Sequence, residues 1–432
     1  MPHFLTANDQ GFEAAFAAFL GLKREVSADV DAAVAAILDD VRARGDTAVA
    51  EYTAKFDRLD FGDTPMAVSA DEIAAAMASV DAETLDALTL ARDRIRSHHE
   101  RQLPKDDHYT DALGVKLGSR WTAIEAVGLY VPGGTASYPS SVLMNALPAV
   151  VAGVERIVMV VPSPDGVLNP LVLAAAKLAG VSEIYRIGGA QAVGALAYGT
   201  ETIKPVAKIV GPGNAFVAAA KRRVFGTVGI DMIAGPSEVL VVADANNDPN
   251  WIAADLLAQA EHDTGAQSIL LTDDTTFGQS VAEAVVGQLK SLPRAETASA
   301  SWHDFGGVIV VDALKTPDTL AIINRIAAEH LELACDDAET LSGMIRNAGA
   351  IFVGRHTPEV IGDYVGGSNH VLPTARSARF SSGLGVLDYM KRTSVLQLGA
   401  DELRALGPAA IKLAEAEGLD AHAKSVAIRL NL

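Results

Sequence analysis

Between residues 124 and 353, short apolar runs alternate with helical patterns, and this constrains the fold more than any other feature of the chain. Runs at 124–130, 157–161, 183–187 and 208–210 read as strands, with helical segments near 141–152, 170–179, 190–197 and 215–225. A second series follows Ser237, with strands at 239–242, 268–272, 308–311 and 350–353 and helices near 251–261, 278–289, 318–328 and 339–347. Repeated strand–helix alternation implies parallel sheets covered by helices on both faces. The composition suits this: 49% of the 432 residues are hydrophobic but only 5% are aromatic, and much of the apolar content is Ala and Val. The expected class is α/β, with two doubly wound, Rossmann-like parallel-sheet domains and helical N- and C-terminal extensions.

The flanks read differently. Residues 1–25 form a helical segment with Phe12, Phe16, Phe19 and Leu20 at helical spacing. Ser27 could cap a helix that ends at Arg44, before Gly45, with Val30, Val34, Ile37, Leu38 and Val41 as its apolar stripe. Ser69-Ala-Asp-Glu72 has the capping-box pattern and opens a helical region reaching about Leu103. The polar stretch 104–109 is turn-like and marks a junction. The expected units are 1–25, then 26–104 joined to 237–381 as one discontinuous Rossmann-like domain, 105–236 as the other, and 382–432 as a helical tail.

Charge and cysteine content narrow the function. The chain carries 35 Lys and Arg against 54 Asp and Glu, a net −19. Such a surface repels phosphate backbones and anionic lipid, so neither nucleic acid nor membrane is an expected partner. The single cysteine, Cys335, excludes an internal disulfide and a thiolate-rich metal site. The N-terminus lacks a secretory pattern and no run approaches the ~18 apolar residues of a membrane span. The expectation is a soluble cytoplasmic protein.

Several polar constellations could carry chemistry. Gln259 and His262, in Leu257-Ala-Gln-Ala-Glu-His-Asp263, lie three apart and share a helix face, a plausible half of a metal site. Glu329 and His330 adjoin at the end of a helical stretch; they suit two proton transfers in sequence, or else are a capping Glu and a surface His. The run 358–374 offers Glu359, Asp363 and His370 in a glycine-rich loop, and Asp363 could supply the missing carboxylate. Glu417 and His422 lie in the tail, where a lone His is usually only solvated. Ser237 is either a substrate contact or a turn cap. Three glycine turns follow strands, 130–134, 187–191 and 210–214, each with a polar or aromatic residue: Tyr130, Gln191 and Asn214. They are either a nucleotide site or ordinary tight turns. No G-x-G-x-x-G occurs in the chain, so dinucleotide binding is expected to be loose.

Together the stretches LAQAEHD, AEHLEL, PEVIGDY, GSNHVLPT with ARFSSGL, GPGNAFV, AGPSEVLV and EGLDAH resemble the histidinol dehydrogenase family, in the right order over most of the chain. One departure is Ala328, where the family pattern has Pro before Glu-His. The resemblance implies one zinc ion per subunit, held by Gln259, His262, Asp363 and His422, the last from the partner subunit of a homodimer with a shared active site. It implies Glu329 and His330 as the acid–base pair. Substrate contacts would be Ser237, His370 and Glu417 besides His330 and the four zinc ligands, with Glu359 behind them. Tyr130, Gln191 and Asn214 would contact NAD. The metal and catalytic residues would then belong to the discontinuous domain, and the tail would be a dimer contact. The implied reaction takes L-histidinol and two NAD to L-histidine in the last step of histidine biosynthesis, through histidinaldehyde. The older idea of a cysteine nucleophile in this family finds no well-placed thiol, since Cys335 lies in an apolar run. Glu261 and Asp263 read as structural. Alternatives are a related zinc and NAD dehydrogenase of another small primary alcohol, a zinc hydrolase, and a catalytically dead subunit.

Overall fold

Two parallel sheets wound in the same order carry the molecule. The computed structural model describes residues 2–22, 28–62, 64–133, 138–233 and 235–432; the expected cap Ser27 and the last glycine of the first turn, Gly134, lie outside them. In chain order the strands are β1 (His3–Thr6), β2 (Asp107–Thr110), β3 (Lys116–Ala123), β4 (Ala126–Tyr130), β5 (Arg156–Val160), β6 (Glu183–Tyr185), β7 (Lys208–Val210), β8 (Gly229–Ile230), β9 (Glu238–Ala243), β10 (Gln267–Thr272), β11 (Gly307–Val310), β12 (His330–Ala334), β13 (Ala350–Val353) and β14 (Met390–Gln397).

One sheet has the order β6-β5-β4-β7-β8 and the other β1-β11-β10-β9-β12-β13. Every pairing within them is parallel, as strand–helix–strand crossovers require. In each the chain starts at a central strand, lays two strands on one side, then returns to the other side. The order therefore reverses between β4 and β7, and again between β9 and β12. Such switch points are where crevices open at strand ends. β4, β9 and β12 are buried along their whole length, and β4 and β9 are accordingly nearly continuous apolar runs, whereas β12 buries His330 and Glu332 among its apolar residues.

Four features depart from the sequence expectation. The second series offered no strand between 311 and 350, yet β12 lies between β9 and β13, because pairing on both sides outweighs the polar His330 and Glu332 in its sequence. The N-terminal segment is not wholly helical, because β1 adds a parallel edge strand to β11 before the helix Phe12–Leu20 begins. Four residues give no period to recognise; the partner strand supplies the structure. The helices Ala28–Arg44, Asp46–Asp57, Ala70–Ser79 and Ala82–Glu100 pack mainly on the five-stranded sheet's side rather than with the segment 237–381, which Ala82–Glu100 touches through Arg94 and His99. Val34, Leu38 and Val41 meet Val193, Leu196 and Val217, while Leu88 and Ile95 share a core with Leu143 and Leu147. An apolar stripe tells that a helix buries a face, but not against what. The tail is not wholly helical either: β14 pairs along eight residues with β3, and β2 completes an antiparallel three-stranded sheet. The turn-like junction at 104–109 thus runs into β2. Only then come the helices Ala400–Ala416 and Asp420–Leu430, packed on one another.

Local chemistry fixes several helix starts. Ser69 accepts from the Glu72 amide while Glu72 accepts from the Ser69 amide, the capping box read from the sequence. Asp248 caps Pro249–Ala260, the helix that carries Gln259. Among the described residues no helix is long and apolar enough to cross a membrane.

Candidate active site

The polar residues collect at the amino-terminal edge of the six-stranded sheet. Ser237 precedes β9, Glu329 precedes β12, and His330 opens β12 opposite Val239 of β9. The amide of Gln267, which starts β10, donates to the Ser237 carbonyl. The crossover helix Pro249–Ala260 runs back along the sheet, so its last turn brings Gln259 and His262 to this same edge. It packs against the helix Glu359–Tyr364, which carries Glu359 and Asp363.

His330 is the centre of the group. Its Nδ1 lies 3.2 Å from the Glu238 carbonyl, 3.5 Å from Glu359 Oε2 and 3.8 Å from Glu329 Oε2, while Nε2 lies 3.6 Å from Asp363 Oδ1. Glu329 accepts from the Glu238 amide at 3.0 Å. Glu329 and His330 are only 5% and 4% exposed. Burial pushes Glu329 up to about 7, against the pull of His330 and the Glu238 amide, and pushes Glu359 up to about 8. For His330 burial disfavours the cation, but Glu359, Glu329 and Asp363 together outweigh it and lift the imidazole well above its usual value. Burial also works against ionised Asp363, yet His330, His370 and His262 hold it below the usual carboxylate range. An imidazole packed beside a carboxyl raised to about 7 is a pair that can pass protons in both directions.

Gln259 is fully buried, and among the described residues neither atom of its amide has a hydrogen-bond partner; His330 Nε2 and Glu359 Oε2 have only the ion-pair contacts at 3.6 and 3.5 Å and no hydrogen bond. A buried amide left unsatisfied costs about 1–3 kcal/mol, so these orphans mark a place made for another polar group. Amide oxygen, imidazole nitrogen and carboxylate oxygen are donors that suit zinc. Among the described residues no three His, Cys, Asp or Glu side chains are grouped to hold a metal. The expected set asks only two of those types, His262 and Asp363, from one chain. His422 and Glu417 are exposed, on the tail helix Asp420–Leu430 and at the end of Ala400–Ala416. Among the described residues neither has a hydrogen bond or ion pair to the cluster within the chain.

His370 ties this edge to the other sheet. Its Nδ1 is 3.0 Å from the Asp363 carbonyl, which can only accept, so Nδ1 carries the proton and Nε2 accepts from Ser141 Oγ at 3.2 Å. Burial keeps the His370 imidazole below its usual value. Ser141 lies in the first turn of the helix Pro139–Ala152. Sequence reasoning passed it over; a serine beside Pro139 at a helix start reads as a cap. Asn369 adds a second tie, donating to the Met144 carbonyl at 2.7 Å. The amino-terminal edge of the six-stranded sheet thus faces the carboxyl edge of the five-stranded sheet.

The three glycine turns lie at that carboxyl edge. The buried Tyr130 hydroxyl accepts from the Gly189 amide at 3.0 Å, and burial raises its phenol to about 12. Gln191 is 1% exposed with Oε1 unpaired, an acceptor in place for a ligand. Asn214 caps the helix Ala215–Val224 through the Phe216 and Val217 amides. The glycines serve packing as well as access: a Cβ on Gly133 or Gly188 would come within 2.6 and 2.4 Å of Pro162. Elsewhere, Asp263 accepts from the Gly265 amide and shapes a turn. Cys335 lies at the far end of β12 from His330, buried, with its thiol pushed up to about 11 by burial.

A family model described as histidinol dehydrogenase matches residues 22–430. The histidinol dehydrogenase of Brucella suis biovar 1 is 72% identical over 428 residues, 99% of each chain. That of Rhizobium meliloti is 74% identical over 424 residues, 98% of this chain and 97% of the relative. The crystal structure of histidinol dehydrogenase from Elizabethkingia anophelis superposes with a TM-score of 0.94 at 37% identity, covering 100% of this chain and 98% of that one.

Proposed function

Because the chain belongs to the histidinol dehydrogenase family, we propose that its buried Glu329–His330 pair serves two successive oxidations of L-histidinol, with NAD taking a hydride each time at the glycine turns. The chain is a histidinol dehydrogenase, an NAD-dependent oxidoreductase of histidine biosynthesis. The finer reading rests above all on one observation: an imidazole enclosed by carboxyls, beside a buried glutamine amide with no partner.

His330 Nε2, the nitrogen facing Asp363, takes the alcohol proton as hydride leaves the substrate carbon. Glu329 and Glu359 beside Nδ1 stabilise the imidazolium that forms. Glu329, near 7, then accepts a proton from water as it adds to the aldehyde, while the His330 imidazolium gives its proton to the carbonyl oxygen, so that the neutral hydrate forms and His330 is a base again. His330 takes a hydroxyl proton from the hydrate as the second hydride leaves, and the acid so formed loses its remaining proton to water as the carboxylate. Glu329 and His330 are therefore adjacent because each half-reaction needs both. His370, its tautomer fixed by the Asp363 carbonyl and Ser141, and Ser237 line the substrate end. Gln259, His262 and Asp363 would hold zinc together with His422 of the partner subunit, and zinc, lacking redox chemistry, would anchor the imidazole and amine of histidinol through both steps. The partner subunit's Glu417 would contact substrate, so on this reading the enzyme is a homodimer with shared sites, and we place it in the cytoplasm.

The test is to incubate purified protein with NAD and L-histidinol and follow NADH absorbance, with and without a chelator. The expected result is about two NADH per histidinol, lost on chelation. Zinc-loaded protein that reduces no NAD, or turnover indifferent to chelation, refutes the reading.

A further inference from the structure

The turn after β7, Gly211-Pro-Gly-Asn214, has little sheet to hold it. β7 is three residues long and its outer neighbour β8 only two. Yet Gly211 crosses directly over the end of β4, with φ +111°, where any Cβ would lie 2.1 Å from the Tyr130 carbonyl oxygen. Behind the turn sits an ion pair between Lys221, on the helix Ala215–Val224, and Asp231, just past β8; the two side chains are 3% and 1% exposed. Both partners spend their remaining hydrogen bonds locally. Lys221 Nζ donates to the Gly211 carbonyl at 2.9 Å, and Asp231 accepts from the Gly211 amide at 2.8 Å and the Met232 amide at 2.6 Å.

A buried ion pair is a poor way to gain stability, because desolvating two charges offsets most of their attraction. What this pair does is hold the one residue at the switch point by both of its backbone polar groups. The turn lacks the usual glycine fingerprint; Pro212 and the Asn214 cap shape its far side, and the ion pair fixes Gly211 itself. We propose that Lys221 and Asp231 are positioning residues for NAD: a clamp that sets the 211–214 turn and the start of its helix in the cofactor-binding arrangement before the dinucleotide binds. This rests on the reading that NAD lies at this edge. A preset loop raises affinity by removing the ordering cost from the binding step.

The test compares Lys221→Met/Asp231→Asn with the parent enzyme and with Gln191→Ala. Changing both residues together leaves no buried charge unpaired and keeps an oxygen acceptor for the Gly211 amide. The expected result is a KM for NAD raised about tenfold, kcat at saturating NAD within about twofold, and an unchanged KM for histidinol. A folded double variant with parental KM for NAD, while Gln191→Ala is impaired, overturns the clamp alone. Parental NAD kinetics in Gln191→Ala overturns the placement of NAD and the clamp with it. If the double variant does not fold, amide exchange on the unaltered enzyme decides. Slow exchange of the Gly211 amide without NAD supports the clamp, and fast exchange that slows only when NAD binds overturns it.

Discussion

At the scale of single residues, the assignment stands on which groups are buried together. Glu329→Gln and His330→Asn should each lower kcat by about 10²–10⁴-fold, with NAD binding nearly unchanged; a variant retaining a tenth of the parental rate would remove that residue from proton transfer. Cys335 gives a contrasting expectation. With its folded-state value raised to about 11, the thiol stays protonated up to alkaline pH, and thiolate appears only as the pH nears that value. Iodoacetamide at pH 8 should leave native enzyme unmodified and active, and Cys335→Ala should keep its turnover; rapid inactivation by labelling at Cys335 would revive a thiol mechanism. The residue types of the cluster were legible in the sequence because Gln, Glu and His at fixed spacings are rare in apolar surroundings. Their relative burial was not legible, and burial is what moves Glu329 towards neutrality. Ser141 escaped notice because a helix-start serine has a common structural use, and its link to His370 spans 229 positions.

At the scale of elements, the two sheets share one winding order but not one use. The crevice beside β4 is lined by glycine turns. Its counterpart beside β9 and β12 is filled by Arg355, which pairs with Asp244 at 2.6 Å and with Asp336 at 2.8 Å. Asp273 and Asp274 follow β10 at the same edge. Side chains fill the place a pyrophosphate would take, and the surrounding carboxylates repel it. One NAD per chain is therefore expected at saturation by calorimetry, and two would contradict the distinction between the sheets. Arg355→Ala should destabilise the fold by about 1–3 kcal/mol through the loss of charged hydrogen bonds, without raising the NAD stoichiometry. Most strands of both sheets were readable because burial on both faces makes their sequences almost uniformly apolar, but β12 was not, since His330 and Glu332 interrupt its apolar run, nor were the short edge strands β1 and β8. β2 is exposed throughout and β14 nearly so, so no apolar run announces them; their structure comes from pairing with β3. Likewise the stripe on Ala28–Arg44 announced a helix but carried no address.

At the scale of the whole molecule, the tail poses the remaining question of assembly. Leu406, Leu413 and Ile428 on the tail helices, Leu419 and Leu432 flanking the last of them, and Val395 and Leu396 on β14 are exposed in the single chain. Clustered apolar surface of this kind marks an interface. His422 and Glu417 sit on that same unpartnered tail, while Gln259 keeps its unpaired amide in the body of the chain. A two-fold dimer satisfies both ends at once, since each tail would complete the other chain's site. The idea can be separated from a tail acting within its own chain. Protein carrying Glu329→Gln and His330→Asn lacks the proton-transfer pair but keeps His422; protein carrying His422→Ala keeps the pair but lacks the ligand. Each is expected to be inactive alone. In a mixed dimer with crossing tails, the chain with the intact pair receives the intact His422 of the partner subunit, and one site of two is restored. Random exchange makes half the dimers mixed, so activity should return to about a quarter of the parental level. A tail acting within its own chain leaves both mixed sites defective. If subunit exchange is verified by differently tagged chains and no activity returns, the tails do not cross.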